Sequence, residues 1–163
     1  MSINQVKAVY PGSFDPITNG HLDILDRSLT IFSEVVILVA GTTVKNPLFT
    51  PEERIELIKE VVKERPGVSV QIWPGLTMEY VRKNRISAVI RGLRAASDFE
   101  HEFMMASMNK QIYHDAETLF MMTAQNLFFV SSTMIKDLFS YGGDISPYVP
   151  PQVVRKLKEK HKK

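Results

Sequence analysis

Between Val35 and Ala40 the chain runs Val-Val-Ile-Leu-Val-Ala without one polar side chain. Successive strand residues face opposite sides of a sheet, so this run leaves neither side for water and fits a strand covered on both faces. Shorter apolar runs recur at Val6–Tyr10, Val68–Trp73, Ala88–Ile90 and Thr118–Met122. The segments between them carry helical spacing or helix signals. Leu22, Leu25, Leu29 and Phe32 predict a helix over His21–Phe32. Thr50-Pro51-Glu52-Glu53 joins a threonine cap, a proline at the first helical position and a glutamate three residues after the cap. Ile55, Ile58 and Val62 continue that helix toward Pro66-Gly67. Met78–Lys83 predicts a short helix, and Ser97 or Asp98 is the expected cap of one reaching about Tyr113. Ser131-Ser132-Thr133 opens another that ends at Gly142-Gly143, and Pro150-Pro151 precedes a last basic helix. Alternating strands and helices predict an α/β fold: a single-domain, Rossmann-like open sheet of about five parallel strands with helices on both faces.

Length and composition agree with that class. A chain of 163 residues suits one domain, spanning 1–163, with one sizeable core. A net charge of +2 gives no ground for expecting a nucleic-acid partner. With no cysteine there are no disulfides and no thiolate metal sites, which points to a cytoplasmic protein. Met1-Ser2-Ile3-Asn4-Gln5 lacks the basic and apolar regions of a signal peptide, and no apolar stretch is long enough to span a bilayer, so no membrane association is expected.

Ligands of parallel sheets bind beyond the carboxyl ends of the strands. Four unusual segments begin at such ends: Tyr10–His21, Thr42–Pro47, Arg91–Arg94 and Phe128–Thr133. In the first, Thr18-Asn19-Gly20-His21 opens a helix. Helix N-termini carry unpaired N–H groups and partial positive charge, glycine lets a ligand approach, and an imidazole can donate to a phosphoryl oxygen. The competing role for His21 is a capping or core-facing ring. Ser13 and Phe14 follow the first strand; the plainer reading of them is a Pro-Gly turn. Lys45 is either a phosphate-neutralising ammonium or a solvated loop lysine. Arg91 and Arg94 can fork onto phosphate oxygens, or they are surface arginines in salt bridges. Ser131, Ser132 and Thr133 offer hydroxyls and helix amides to a polyphosphate, beside their capping role.

The stretch Tyr10-Pro11-Gly12-Ser13-Phe14-Asp15-Pro16-Ile17-Thr18-Asn19-Gly20-His21 resembles the first signature of the HxGH-type nucleotidylyltransferases. Ile90-Arg91-Gly92-Leu93-Arg94, Asp98-Phe99-Glu100 and Ser131-Ser132-Thr133-Met134-Ile135-Lys136 narrow the likeness to the bacterial phosphopantetheine adenylyltransferase family, over nearly the whole chain. The resemblance implies an enzyme of coenzyme A synthesis. In it, the phosphate of 4′-phosphopantetheine attacks the α-phosphorus of ATP in line, without a covalent intermediate, giving dephospho-coenzyme A and pyrophosphate. It implies His21, Lys45 and Arg91 as catalytic. It implies Ser13, Phe14, His21, Gly92, Leu93, Arg94, Glu102 and the run Leu127, Phe128, Phe129, Val130, Ser131, Ser132, Thr133 as ATP contacts. Ser13, Lys45, Thr77 and Arg91 are implied as contacts of the acceptor. Family members often carry threonine where this chain has Ser13 and tryptophan where it has Leu127.

Mg²⁺ is expected with ATP, held mainly by phosphates and water, because no carboxylate cluster suggests a protein cage. The resemblance also implies a homohexamer, a dimer of trimers. Phe99, Phe103, Met104, Met105 and Met108 make one helix apolar around much of its girth, which means core packing or, in line with that assembly, a subunit interface. The lysine-rich Arg155–Lys163 run is expected to be a solvated helix face. Two other functions compete: a nucleotidylyltransferase for another phosphorylated acceptor, and a noncatalytic nucleotide-binding module. A basic RNA-binding domain rests only on the C-terminal lysines.

Overall fold

The computed structural model describes residues 6–41 and 47–161. The elements follow in the order β1 (Lys7–Gly12), α1 (Asn19–Ser28), β2 (Glu34–Ala40), α2 (Pro51–Val62), β3 (Val68–Trp73), α3 (Thr77–Lys83), β4 (Ala88–Leu93), α4 (Ala96–Ile112), β5 (Glu117–Met122), α5 (Ser132–Ser140) and α6 (Pro151–His161). The strands form one five-stranded parallel sheet in the order β3-β2-β1-β4-β5.

That order accounts for the two helical layers. From β1 to β2 to β3 the chain steps toward one edge, then it crosses back past β1 to β4 and steps toward the other. Strand–helix–strand crossovers are right-handed, so reversing the direction moves the helices to the opposite face. Side-chain alternation shows the division. Ala8, Tyr10, Val35, Ile37, Val39, Ala88 and Ile90 pack with α1, α2, α5 and α6 through Ile24, Leu25, Leu57, Ile58, Ile135, Val153 and Leu157. The intervening Val9, Val36, Leu38 and Val89 pack on the other face with Met78, Tyr80 and Val81 of α3. The uninterrupted apolar run of β2 thus serves both cores.

Local chemistry sets the helix boundaries. Thr50 and Glu53 form a reciprocal capping box at α2, with Pro51 at its first position. Three boundaries differ from expectation. Helix α1 ends at Ser28, and Phe32 reaches the core through a turn in which the Phe32 N–H bonds the Ser28 carbonyl. Ser97 and Asp98 both lie inside α4 rather than before it. Its N-cap is Ala95, and the Asp98 carboxylate accepts the Arg94 N–H at 3.1 Å. Thr77 is the first residue of α3, after a Leu76 cap that makes no side-chain hydrogen bond.

Helix α4 does not bury the apolar girth that its sequence carries. Phe99, Phe103, Met104, Met105 and Met108 remain exposed, joined by Ile112 and by Met122 of β5, so they are not core packing within this chain. The basic α6 is only partly a solvated face: Arg155 pairs with Glu60 and Lys160 with Glu53, both on α2, while Val153 and Leu157 are buried. Among the described residues no helix is long and apolar enough to cross a membrane.

The capping box yields a test of local energetics. Thr50→Ala should lower unfolding free energy by about 1 kcal/mol, read as a reduced urea midpoint at unchanged m-value. An unchanged midpoint would mean the box adds nothing.

Candidate active site

Strands β1 and β4 lie side by side, with Ala8 opposite Ala88 and Val9 opposite Val89. This is where the chain reverses direction across the sheet, and at such a point a crevice opens beyond the strand ends. The β1–α1 turn and Arg91 of β4 meet there, and the Arg91 Nη1 donates to the Pro11 carbonyl at 3.1 Å.

Two cavities open on this junction. One, of about 340 Å³, is lined by Ser13, Phe14, Thr18, Gly20 and His21 from the β1–α1 connection, by Arg91, Gly92 and Arg94, and by Val130 to Thr133. The other, of about 370 Å³, lies toward Trp73, Leu76, Thr77 and Met78, with Glu102 and Met105 of α4 on its far side. Pro11, Gly12, Ser13 and Arg91 belong to both linings. The first is the more polar in chemistry, and two helix N-termini, of α1 and α5, contribute to it.

His21 caps α1, as one reading of the sequence had it, and also lines the first cavity. It is the third residue of α1. Its N–H bonds the Thr18 hydroxyl, and its Nδ1 stands 3.0 Å from the Thr18 backbone N–H. A backbone N–H can only donate, so Nδ1 is the acceptor and the neutral ring carries its proton on Nε2. Burial, and secondarily the Arg94 charge, push the imidazole down to about 4. A neutral Nε2–H donor therefore lines the first cavity near neutral pH. Its ring packs edge-on against Phe14 at 5.0 Å. Gly20 leaves space on the cavity side: a Cβ there would meet Thr18 Oγ1 at 3.5 Å, an ordinary contact, so the protein itself does not demand glycine.

The arginines carry partners. Arg91 Nε and Nη2 bond both oxygens of Glu102 at 2.6 Å, and with the Pro11 bond this commits three of its five N–H groups. Arg94 pairs with Asp98 at 3.1 Å. The salt-bridge alternative is thus realised in a form that still presents both guanidinium groups to the first cavity. Glu102, placed by resemblance against ATP, lines the second cavity and braces Arg91.

The hydroxyls are similarly committed. Ser131 Oγ accepts the Met134 N–H as the α5 cap, and Ser132 Oγ donates to the Pro16 carbonyl at 2.7 Å. Thr133 makes no side-chain hydrogen bond to another described residue. Leu93 is buried, and Leu127, Phe128 and Phe129 line neither cavity. Phe128 and Phe129 are exposed and stack edge-on with each other. Lys45 lies outside the described residues.

Three contributors were not anticipated. Tyr10 lines the first cavity, and burial raises its phenol so that it remains a hydrogen-bond donor. Asp15, almost fully buried, accepts the Leu48 and Phe49 N–H groups at 2.9 and 2.8 Å and pairs with Lys136 of α5 at 3.1 Å. Arg54 is buried beneath the turn. It sits on the stripe of Leu57, Ile58 and Val61, and that lone cation among apolar positions was the available signal.

Comparison with known proteins shows the family to which the chain belongs. Residues 9–138 match the cytidylyltransferase-like family. A Heliobacterium modesticaldum protein named phosphopantetheine adenylyltransferase is 49% identical over 94% of this chain and 92% of its own length. A relative of the same name from Syntrophotalea carbinolica is 50% identical over 94% and 92%. The chain belongs to the phosphopantetheine adenylyltransferase family. A solved structure of a candidate nicotinate-nucleotide adenylyltransferase from Vibrio parahaemolyticus superposes with a TM-score of 0.71, covering 94% of this chain and 98% of that one, at 19% identity. That likeness extends the shared fold beyond the phosphopantetheine adenylyltransferases.

The His21 environment generates a pH prediction. The folded pKa lies below the usual 6.5, so the unfolded chain binds more protons between about pH 6.5 and 4. The stability contributed by the neutral ring is present above that window and lost as pH falls through it. Urea midpoints should fall more between pH 7 and 5 for the unsubstituted chain than for His21→Asn; equal falls would refute the depressed pKa.

Proposed function

We propose that this chain transfers the adenylyl group of ATP to 4′-phosphopantetheine, forming dephospho-coenzyme A and pyrophosphate. The observation that carries this reading is the shared rim of the two cavities: Pro11, Gly12, Ser13 and Arg91 border both. A reaction joining two phosphates in line needs two adjacent sites that meet at the reacting centre.

The first cavity suits the polyphosphate of ATP. Two helix N-termini, the Arg91 and Arg94 guanidinium groups and the His21 Nε2–H converge on it. The second suits the acceptor arm. Trp73, Leu76 and Met78 offer apolar surface, and Thr77 stands at its wall. The acceptor phosphate would meet Ser13 and the two N–H groups of Arg91 that Glu102 and Pro11 leave uncommitted. It attacks the α-phosphorus while pyrophosphate departs, and the protein forms no covalent bond. His21 donates to an α-phosphate oxygen as charge grows there. Lys45 is proposed to neutralise the incoming phosphate. We assign Ser13, Phe14, Gly92, Arg94 and Val130 to Thr133 to ATP, and Glu102 to holding Arg91. Leu93 and Leu127 to Phe129 are proposed to border the nucleotide from behind the cavity wall.

Mg²⁺ is proposed to enter with ATP and offset the polyphosphate charge. The first cavity is lined by cationic and neutral donors and no described carboxylate, so the ion's ligands would be phosphate oxygens and water. The site of action is proposed as the cytoplasm. We also propose a homohexamer, a dimer of trimers, because the exposed apolar residues of α4 need cover. Sedimentation velocity should find the assembly, and a monomer at micromolar concentration would exclude it.

The deciding experiment is pyrophosphate release with ATP or CTP across phosphopantetheine, nicotinamide mononucleotide and glycerol 3-phosphate. ATP with phosphopantetheine should turn over best; preference for another pair would overturn the assignment. His21→Ala should lower kcat by about 10²–10³-fold while ATP still binds. An unchanged kcat would remove His21 from the chemistry.

A further inference from the structure

Arg54 lies 2% exposed, and among the described residues no carboxylate pairs with it. A buried guanidinium without a counter-charge is costly unless other groups satisfy it. Its acceptors are three backbone carbonyls. Nη1 donates to Ser13 at 2.7 Å and to Ala40 at 3.3 Å, and Nε donates to Thr50 at 3.4 Å. These belong to the β1–α1 turn, the carboxyl end of β2 and the cap of α2. One planar fork thus joins three elements beneath the site.

The Ser13 bond is the shortest, and it has a directional consequence. In a trans peptide the carbonyl and the following N–H point in opposite directions. Drawing the Ser13 oxygen down onto Arg54 turns the Phe14 N–H away from the protein interior. Ser13 and Phe14 both line the first cavity. Among the described residues no acceptor takes a hydrogen bond from the Phe14 N–H. Phe14 itself holds a φ of 48°, a left-handed conformation that a bulky aromatic residue rarely adopts. Its ring is buried and packs edge-on against Tyr10 and His21. Such a backbone state persists only where the surroundings over-determine it. Here the ring is held from above and the preceding carbonyl from below.

We propose that Arg54 is a positioning residue: by holding the Ser13 carbonyl it fixes the Ser13–Phe14 peptide plane and aims the Phe14 N–H at the phosphoryl group that both cavities share. Its charge, unpaired by any described carboxylate, also adds a positive field under that group. The inference rests on the adenylyl-transfer reading for the identity of the phosphoryl group, and on local geometry alone for the orientation of the amide.

The test uses the full chain labelled with ¹⁵N-phenylalanine, whose nine phenylalanines give a countable amide spectrum. Inorganic pyrophosphate is the probe. The Phe14 signal, identified by its loss in Phe14→Leu, should move downfield with pyrophosphate in the unsubstituted chain. It should stay in place in Arg54→Lys, which keeps the charge without the planar fork, and in Arg54→Gln. In turnover with ATP and phosphopantetheine, both variants should lose kcat about a hundredfold, with KM for ATP within about threefold of the unsubstituted value. Melting curves on the same samples report folding. A Phe14 amide in the unsubstituted chain that ignores pyrophosphate overturns the proposal whether or not the variants fold. So does an equal response in folded Arg54→Lys, or kcat retained in it. If the unsubstituted chain lacks turnover but its Phe14 amide responds and Arg54→Lys silences it, adenylyl transfer fails and the role of Arg54 stands.

Discussion

The parallel pairing of β1 with β4 is the constraint on which the site depends. It places two strands, far apart in sequence, with their carboxyl ends together and with helices leaving toward opposite faces. The crevice follows from handedness rather than from any special residue. What the sequence adds is the chemistry brought to that place: a turn from Ser13 to Thr18 leading from β1 into α1, and an arginine on β4 whose side chain reaches the Pro11 carbonyl near the end of β1. With a different strand order the same motifs would lie on separate edges of the sheet.

Several groups at the junction hold the structure together while also lining the cavities. His21 closes the capping box of α1 through Nδ1, and that bond selects the tautomer that leaves Nε2 protonated. Thr18 and His21 satisfy each other's orphan groups, so the helix start is ordered while the ring is oriented. Glu102 holds Arg91 by two short bonds, and its carboxylate offsets the guanidinium charge locally while fixing the direction of the remaining N–H groups. For in-line transfer, orientation outweighs raw charge, because the reacting groups must be held within fractions of an ångström.

The fold was legible where signals are local. Apolar runs located all five strands, and the Thr50–Glu53 box located a helix start to the residue. The strand-end rule also found the three main segments that line the first cavity. What escaped depends on contacts between elements. The Arg91–Glu102 pair requires the angle at which α4 leaves β4, which no spacing encodes. The hydroxyls of Ser131 and Ser132 look available in sequence and are engaged by a helix amide and the Pro16 carbonyl. Arg54 was visible as a cation on an apolar stripe, but its meaning came only from the carbonyls above it. Phe32 has helical spacing with Leu25 and Leu29, yet it reaches the core from a turn, because burial constrains position more than backbone conformation.

The two faces of the sheet divide the remaining work unequally. Four helices cover one face and build the larger core around Ile24, Ile37, Ile58 and Ile90. The other face has α3 and part of α4, and α4 leaves Phe103, Met104 and Met108 in contact with solvent. Yet α4 supplies Glu102 to the Arg91 pair and Met105 to the second cavity. The element that lines the second cavity, the one proposed for the acceptor, is therefore the one with the least cover from its own chain. A partner that covered the apolar side of α4 would therefore lie against the same helix that carries Glu102 and Met105 into the site.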